Sequence, residues 1–301
     1  MTVKKNHAKI IIFGEYTVLH GSNFLAVPHP KFYCYPTFNK PDPAKTTSLH
    51  HFYNYLIKHL KLSKVEFDFS RFIEEINRGL TFHTNIPLGA GYGSSGAFCA
   101  SLYHRYGTPS DKLEKESLAE HKNNLGAMES YYHGKSSGVD PLVSYINDPI
   151  FQDKNGDINI LQEEDISDLP KLFYLLNTTK KRPEKKIPTI YENILRDNLF
   201  PLSVTAPLLV NKCIDNFLKK DYDLLNIHVK ELSLFQLKYF RKLIPDSIIR
   251  LWKYGIDSNL FYLKFCGAGG GGNFLVFSKN FEMAKKYFYE FQLTSLDCGE
   301  L

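Results

Sequence analysis

A glycine-rich segment with two serines is the part of this sequence best suited to hold a phosphate group. It reads Pro-Leu-Gly-Ala-Gly-Tyr-Gly-Ser-Ser-Gly-Ala over residues 87–97. Glycine lets a ligand approach the backbone closely, because no Cβ intervenes. A helical pattern follows from Ala97 to Tyr106, and the first N–H groups of a helix are unpaired and lie at the positive end of its dipole. The serines can cap such a helix or bind magnesium. The alternative is a plain strand-to-helix turn.

Two familiar nucleotide motifs are excluded. Gly91, Gly93 and Gly96 match the spacing of the dinucleotide fingerprint, but that motif needs an acidic residue about 20 positions later at the end of a second strand. The corresponding region here has a helical pattern. Gly134-Lys135-Ser136 resembles the end of a Walker A loop, but Glu129 stands where that loop requires glycine.

A second glycine-rich segment occurs near the end of the sequence. Residues 267–272 read Gly-Ala-Gly-Gly-Gly-Gly between two apolar, strand-like runs. A hairpin turn needs only one or two glycines. Five glycines in six positions therefore indicate close backbone packing or the close approach of a ligand. Lys264 precedes this segment, and it is either an ordinary exposed strand lysine or a cation near a phosphate.

Carboxylates and a lysine supply the other groups that phosphoryl transfer needs, which are a metal site, a positive charge and a proton acceptor. Lys9 precedes the first apolar run and Glu15 follows it. Glu129 and Asp140 lie eleven residues apart. A carboxylate near the end of a helix is disfavoured by the dipole, so a bound cation would explain the place of Glu129. Asp140 follows a Ser-Gly turn that can direct its carboxylate inward.

These segments resemble the three sequence motifs of the GHMP kinases, the superfamily of galactokinase, homoserine kinase, mevalonate kinase and phosphomevalonate kinase. The motifs occur in the expected order, at residues 9–21, 87–97 and 264–272. Within the superfamily, the block from Glu129 to Asp140 is most similar to the mevalonate kinases. The resemblance extends over nearly the whole chain.

The resemblance implies roles for individual residues. Asp140 is expected to take the proton of the substrate hydroxyl, and Lys9 to lower the pKa of that hydroxyl and stabilise developing charge. Ser95 and Glu129 are expected to hold Mg²⁺, the implied cofactor. The residues expected to bind ATP, the co-substrate, are Thr84, Gly89, Ala90, Gly91, Tyr92, Gly93, Ser94 and Ser95. Those expected to contact the acceptor substrate are Glu15, Tyr16, His133, Gly269 and Gly270.

The composition is that of an ordinary globular protein. Of the 301 residues, 43% are apolar and 23% charged, with a net charge of +5. Such a mild charge without basic–aromatic clusters argues against nucleic acid as a partner. The sequence has no apolar run that approaches the roughly 20 residues needed to span a bilayer, so no membrane partner is expected. Five scattered cysteines without metal-ligand spacing favour a reduced, cytoplasmic protein.

The elements that must position these residues are mixed. The first 30 residues are expected to form a strand, a turn at Gly14 and a second extended segment that ends near Pro28 and Pro30. Further strands are expected near residues 65–69, 81–86, 172–176, 262–266 and 274–277. Helices are expected near 48–60, 97–106, 112–132, 206–254 and 282–290, with a short tail after the last of them. Turn-rich sequence is expected at residues 41–47 and an exposed basic loop at 180–186. Strands and helices without regular alternation favour an α+β fold. The resemblance implies an N-terminal domain like the second domain of ribosomal protein S5 (residues 1–165) and a ferredoxin-like C-terminal domain (residues 166–301).

The sequence thus predicts an ATP- and magnesium-dependent kinase that acts on a primary hydroxyl of a small anionic alcohol. The resemblance favours mevalonate, converted to 5-phosphomevalonate in isoprenoid precursor synthesis. Another GHMP kinase acceptor (phosphomevalonate, homoserine or a sugar) stays open, because Tyr16 replaces the usual histidine and residues 180–186 are unusually basic. A non-enzymatic RNA-binding protein with an S5-like domain is the third alternative. The oligomeric state, for example a homodimer, is also left open.

Overall fold

A computed structural model describes residues 4–40, 42–59, 67–107, 115–178, 180 and 186–296. The chain forms two compact units. The first comprises the residues up to Lys9 with Pro28–Ile86 and Gly93–Asp148. The second comprises Ile10–Val27, Pro87–Tyr92 and the residues from Pro149 onward. This partition differs from a division into two domains at residue 165, which stays a prediction.

The first unit is mainly helical. The helix α3 begins directly after Gly93, whose φ of +70° suits glycine. Asp68 caps α2, since its carboxylate accepts a hydrogen bond from the Arg71 N–H at 2.9 Å. The helix predicted at residues 97–106 is confirmed, and so is the one predicted at 112–132 from Lys115 onward, since residues 112–114 lie outside the described part. The helices are α1 (Pro43–His59), α2 (Phe69–Asn77), α3 (Ser94–Tyr106), α4 (Lys115–His133) and α5 (Val139–Ile146).

Five strands form one sheet with the order β1-β2-β4-β5, and β3 also pairs with β2. Three of these pairings are antiparallel: Cys34–Phe38 of β2 pairs with β3, Phe24–Ala26 of β2 pairs with β4, and β4 pairs with β5. The strands are β1 (Asn6–Phe13), β2 (Phe24–Phe38), β3 (Leu80–Thr84), β4 (Ile150–Gln152) and β5 (Ile158–Ile160).

The second strand is longer than the sequence predicts. It was expected to end near Pro28 and Pro30, but β2 continues to Phe38. Both prolines lie between the stretches paired with β4 and β3, so their missing N–H groups break neither ladder.

The second unit contains a four-stranded antiparallel sheet with the order β7-β8-β6-β9. Helices pack on it around a core that includes Trp252, Phe173 and Phe217, each 1% exposed or less. The strands are β6 (Phe173–Asn177), β7 (Tyr262–Phe265), β8 (Asn273–Phe277) and β9 (Gln292–Ser295). The helices are α6 (Glu163–Ile166), α7 (Leu169–Leu172), α8 (Ile187–Asp197), α9 (Ala206–Leu218), α10 (Tyr222–Tyr239), α11 (Asp246–Ser258) and α12 (Phe281–Ala284), with a π-helical segment at Pro201–Thr205 and 3₁₀ turns at Thr17–His20, Arg241–Leu243 and Lys285–Phe288. The α+β class is confirmed.

Three local predictions need correction. The turn-rich segment 41–47 is helical from Pro43, because proline is tolerated in the first turn of a helix. Of the strand predicted at 65–69, the first two residues lie outside the described part, Phe67 forms a single bridge with Gly107, and Phe69 begins α2. The tail contains β9, which its polar sequence did not indicate. Most of the predicted basic loop, residues 181–185, lies outside the described part.

Two further features bear on the cellular setting. Among the described residues, no helix has both the length and the apolar character required to cross a bilayer. The four cysteines in the described part, Cys34, Cys99, Cys213 and Cys266, are buried and form no disulfide bond with one another. Location in the cytoplasm stays a prediction.

Candidate functional site

Glycines bring the ends of three helices together in the first unit. A Cβ on Gly96, near the start of α3, would lie 3.1 Å from the Cα of Pro141 in α5. A Cβ on Gly138, just before α5, would lie 2.0 Å from the carbonyl oxygen of Lys122 in α4. A Cβ on Gly126 of α4 would lie 3.1 Å from the Cα of Gly138. Larger residues would push these three helices apart. The glycines therefore determine how close the side chains of α3, α4 and α5 come to one another.

Lys9 and Asp140 form an ion pair within this arrangement. The Lys9 Nζ lies 2.6 Å from the Asp140 Oδ2. The lysine side chain is 2% exposed and the aspartate side chain 30% exposed, so the cation is enclosed while the carboxylate keeps an open side. A Cβ on Gly93 would lie 2.7 Å from the Lys9 Cε, so glycine at the start of α3 makes room for the lysine stem. A carboxylate placed this way can accept a proton from a bound ligand.

Ser95 and Glu129 form a second pair in the same unit. The Ser95 hydroxyl donates a hydrogen bond to Glu129 Oε1 at 2.9 Å, and the Ser136 hydroxyl donates one to Glu129 Oε2 at 2.5 Å. Ser95 is the second residue of α3, next to the positive end of the helix dipole.

This donor set fits Mg²⁺. The ion is usually held by one or two carboxylates together with water and substrate phosphates, rather than by a cage of protein ligands. One buried carboxylate and one hydroxyl match that pattern. The described residues contain no cluster of three His, Cys, Asp or Glu side chains for a metal.

The predicted phosphate loop is divided between the two units. Gly93, Ser94 and Ser95 belong to the first unit, while Gly89 to Tyr92 belong to the second. In the second unit, Asn273 donates two hydrogen bonds to the carbonyl oxygen of Ala90, from its backbone N–H at 3.1 Å and from Nδ2 at 2.9 Å. A Cβ on Gly272 would lie 2.6 Å from the Gly89 carbonyl oxygen. The second glycine segment therefore supports the first half of the loop.

A buried ion pair joins the first motif to the third within the second unit. The Lys264 Nζ lies 2.8 Å from Glu15 Oε1, with side-chain exposures of 0% and 4%. Gln236 donates a hydrogen bond from Nε2 to the same carboxylate oxygen and accepts one from the Phe265 N–H, both at 2.9 Å. Burial raises the pKa of the Glu15 carboxyl, and the Lys264 ammonium opposes that shift. The alternative that Lys264 is an exposed strand lysine is wrong.

Other residues predicted to contact the acceptor substrate contact the protein in this structure. The Tyr16 hydroxyl donates a hydrogen bond to the Ala268 carbonyl oxygen at 2.6 Å, and its ring stacks on Tyr191 at 4.1 Å between centroids. The Gly270 N–H donates to the Leu243 carbonyl oxygen at 2.6 Å. A Cβ on Gly269 would lie 3.0 Å from that same oxygen. Contact with a substrate by these residues stays a prediction.

Two predicted residues lie at the ends of elements. Thr84 is exposed at the end of β3, and its hydroxyl oxygen accepts a hydrogen bond from the Ile86 N–H at 3.1 Å. His133 is the last residue of α4, and its side chain lies outside the described part of the structure.

The structure thus brings together Lys9, Asp140, Ser95 and Glu129 in one unit. Three supporting residues had no role in the sequence prediction: Ser136, Gln236 and Asn273. Gln236 and Asn273 form hydrogen bonds with residues far away in the sequence, and Ser136 lies in a turn. No local sequence pattern indicates hydrogen bonds of either kind.

Solved structures share this fold over nearly their full length. Phosphomevalonate kinase from Streptococcus pneumoniae, in complex with phosphomevalonate and AMPPNP, is 15% identical, with 99% of each chain covered and a TM-score of 0.67. Mevalonate kinase from Methanococcus jannaschii is 16% identical, covering 97% of this chain and 96% of its own, with a TM-score of 0.62. Galactokinase from Lactococcus lactis, complexed with galactose, is 12% identical, covering 97% and 92%, with a TM-score of 0.65.

No protein-family model and no curated protein sequence matches the chain. The similarity to solved structures is therefore a similarity of fold, and this fold is the one that the three sequence motifs predicted. The chain has the fold of the GHMP kinases.

Proposed function

We propose that the protein is an ATP- and magnesium-dependent kinase that transfers a phosphoryl group to a primary hydroxyl of a small anionic alcohol. The observation that carries the proposal is the pairing of Lys9 with Asp140 beside the pairing of Ser95 with Glu129 in one compact unit. Phosphoryl transfer depends on positioning and charge stabilisation more than on covalent chemistry by the protein. These four side chains supply both.

Asp140 and Lys9 act on the acceptor in this proposal. The acceptor oxygen attacks the γ-phosphorus of ATP, the bond from that phosphorus to the bridging oxygen breaks, and ADP leaves. The proton of the hydroxyl passes to Asp140, whose open side can face a ligand. Lys9 stabilises the negative charge that develops on the acceptor oxygen, and its burial strengthens that interaction.

Ser95 and Glu129 would hold the magnesium ion, which when bound neutralises charge on the phosphate oxygens. The start of α3 adds unpaired N–H groups and the positive end of a helix dipole. Residues Gly89 to Ser95 would wrap the phosphates, with Thr84 near the nucleotide. A Cβ on Gly93 would lie 2.7 Å from the Lys9 Cε, so the backbone of Gly93 lies close to the lysine side chain.

Mevalonate is the acceptor that the motifs favour. The block from Glu129 to Asp140 is most similar to that of mevalonate kinases, and mevalonate and phosphomevalonate kinases are among the proteins that share the fold. Glu15, Tyr16, His133, Gly269 and Gly270 are proposed to contact the acceptor. For Glu15 and Gly270 this requires that the acceptor displace their present partners in the second unit.

An acceptor panel tests the proposal. ADP release is measured with Mg²⁺ and ATP in the presence of mevalonate, phosphomevalonate, homoserine or galactose, and each product is identified by ³¹P NMR. We expect saturable turnover with mevalonate. Turnover with another member of the panel would replace the acceptor but keep the kinase. Absence of acceptor-dependent ADP release with all four, together with RNA binding, would support the non-enzymatic alternative.

A further inference from the structure

Ser136 lies where it can control the carboxylate of Glu129. We propose that Ser136 is a positioning residue that holds Glu129 in the orientation needed for a divalent cation; this inference rests on the proposed function. The Ser136 hydroxyl donates its single hydrogen to Glu129 Oε2 at 2.5 Å. Glu129 Oε1 is thereby turned towards Ser95, which donates to it at 2.9 Å.

Ser136 is itself held on two further sides. Its N–H donates a hydrogen bond to the Ser130 hydroxyl oxygen at 3.1 Å, and Ser130 in turn donates to the Gly126 carbonyl oxygen of α4 at 2.7 Å. The Ser136 hydroxyl oxygen accepts a hydrogen bond from the Gly138 N–H at 3.1 Å. The side chain is therefore fixed between α4, which carries Glu129, and the residue that precedes α5.

The link to Gly138 also reaches Asp140. Gly138 is the residue immediately before α5, and Asp140 is the second residue of that helix. One hydroxyl thus contacts the carboxylate proposed to bind the metal and the backbone that places the proposed proton acceptor. Residues that orient a metal ligand through a hydrogen bond typically change metal affinity or activity about 10–100-fold when they are lost.

The neighbouring serine provides a matched control. The Ser137 hydroxyl oxygen accepts a hydrogen bond from the Val139 N–H at 3.4 Å, a contact confined to the turn before α5. Ser137→Ala therefore removes a hydroxyl from the same turn and leaves the Ser136 contact with Glu129 in place.

Binding of Mn²⁺ in the presence of a non-hydrolysable ATP analogue, followed by the EPR signal of the free ion, tests the inference without turnover. In Ser136→Ala we expect the Kd for Mn²⁺ to rise about 10–100-fold, with a change below about twofold in Ser137→Ala. Ser136→Thr keeps the hydroxyl and should restore most of the affinity. Ser136→Cys, of similar size but with a weaker donor, carries the same test if the alanine variant does not fold.

The outcomes separate the two proposals. Ser136→Ala with a lowered melting temperature and an unchanged Kd for Mn²⁺ would show that Ser136 only stabilises the turn, and would overturn the inference. If the wild-type protein binds no Mn²⁺ with the nucleotide and releases no ADP with any acceptor of the panel, the proposed function fails instead.

Discussion

Each compact unit contains a lysine–carboxylate pair, and the two pairs have similar lengths but different surroundings. Lys9 Nζ and Asp140 Oδ2 are 2.6 Å apart in the first unit, and Lys264 Nζ and Glu15 Oε1 are 2.8 Å apart in the second. The side chain of Asp140 is 30% exposed, whereas that of Glu15 is 4% exposed. One residue of each pair lies in or just after the same strand, because Lys9 is in β1 and Glu15 follows the end of β1.

The two pairs differ in how open their carboxylates are to a ligand in this structure. Asp140 has an open side through which a hydroxyl can reach it. Glu15 Oε1 is occupied by Lys264 and Gln236, and its buried Oε2 has no hydrogen-bond partner among the residues that the structure describes. Removing one partner of a buried pair leaves an uncompensated charge, which is costly. We therefore expect the first pair to control turnover and the second to control stability.

Lys264→Met gives the largest expected loss of stability. It leaves the Glu15 carboxylate buried without its cation, so the free energy of unfolding should fall by about 3–5 kcal/mol. Urea unfolding of the wild type and the variant measures this difference.

The double variant Lys264→Met/Glu15→Gln is the control for Lys264→Met, because it removes both charges and keeps the shape of the side chain at residue 15. We expect it to regain most of the lost stability. A single variant as stable as the wild type would mean that the pair is not the structural link described above.

Lys9→Met tests the first pair by removing its positive charge. Loss of a charged group that stabilises the developing oxyanion should lower kcat about 10²–10³-fold, equivalent to about 3–4 kcal/mol. Steady-state ADP release at saturating ATP and acceptor measures it. The matched control is Lys5→Met, because Lys5 is exposed and lies just before β1. This variant should keep kcat within about twofold of the wild type. Equal losses in both variants would contradict the role of Lys9.

Alanine substitutions at two glycines of the second unit distinguish the cost of backbone strain from the cost of a steric clash. Gly272 and Gly21 have φ values of +69° and +78°, so alanine is strained at both positions. Only at Gly272 would the new Cβ meet backbone, 2.6 Å from the Gly89 carbonyl oxygen, whereas at Gly21 nothing lies within 4 Å. We expect Gly272→Ala to be less stable than Gly21→Ala by about 1–3 kcal/mol. Equal melting temperatures for the two variants would show that the two glycine segments can move apart at Gly272 without loss of stability.

Glu75 provides a structural carboxylate in the same unit as Asp140. Burial alone raises its pKa, but hydrogen bonds from Arg105, Tyr106 and Arg71 outweigh this and lower the pKa to about 2. Because the folded-state pKa lies below the unfolded value, this stabilisation is present above pH of about 4.5 and is lost as the pH falls towards about 2.

The expected size is about 1–2 kcal/mol after allowance for solvent screening. Urea midpoints between pH 3 and 6 should therefore fall with acid in the wild type and fall less in Glu75→Gln. Parallel profiles in the two proteins would contradict this role for Glu75.

The residues of the proposed site were easier to find in the sequence than the contacts that hold them. Lys9, Ser95, Glu129 and Asp140 stand in motifs whose glycines and neighbouring turns restrict what the backbone can do. The structure places all four in one unit. Long helices such as α3 and α4 were also predicted, because their patterns extend over several turns.

The missed features depend on tertiary contacts. The strand β9 is polar and became a strand only by pairing with β6. Lys264 is fully buried because Glu15, nearly 250 residues earlier, meets it in the fold. Ser136 and Gln236 act through single hydrogen bonds, which leave no periodic pattern in the sequence. The acceptor alcohol is equally hard to derive, since Glu15, Tyr16 and Gly270, which are proposed to contact it, all bind other protein groups in this structure.

The contrast between Asp140→Asn and Glu15→Gln tests the central claim most directly. Both variants replace a carboxylate by its amide, and kcat for acceptor-dependent ADP release and the melting temperature are measured for each. We expect Asp140→Asn to lose about 10²–10⁴-fold in kcat, with ATP affinity near that of the wild type. Glu15→Gln should lower the melting temperature and reduce kcat far less. Near-normal kcat in Asp140→Asn, or a loss of kcat as large in Glu15→Gln at an unchanged melting temperature, would contradict the account.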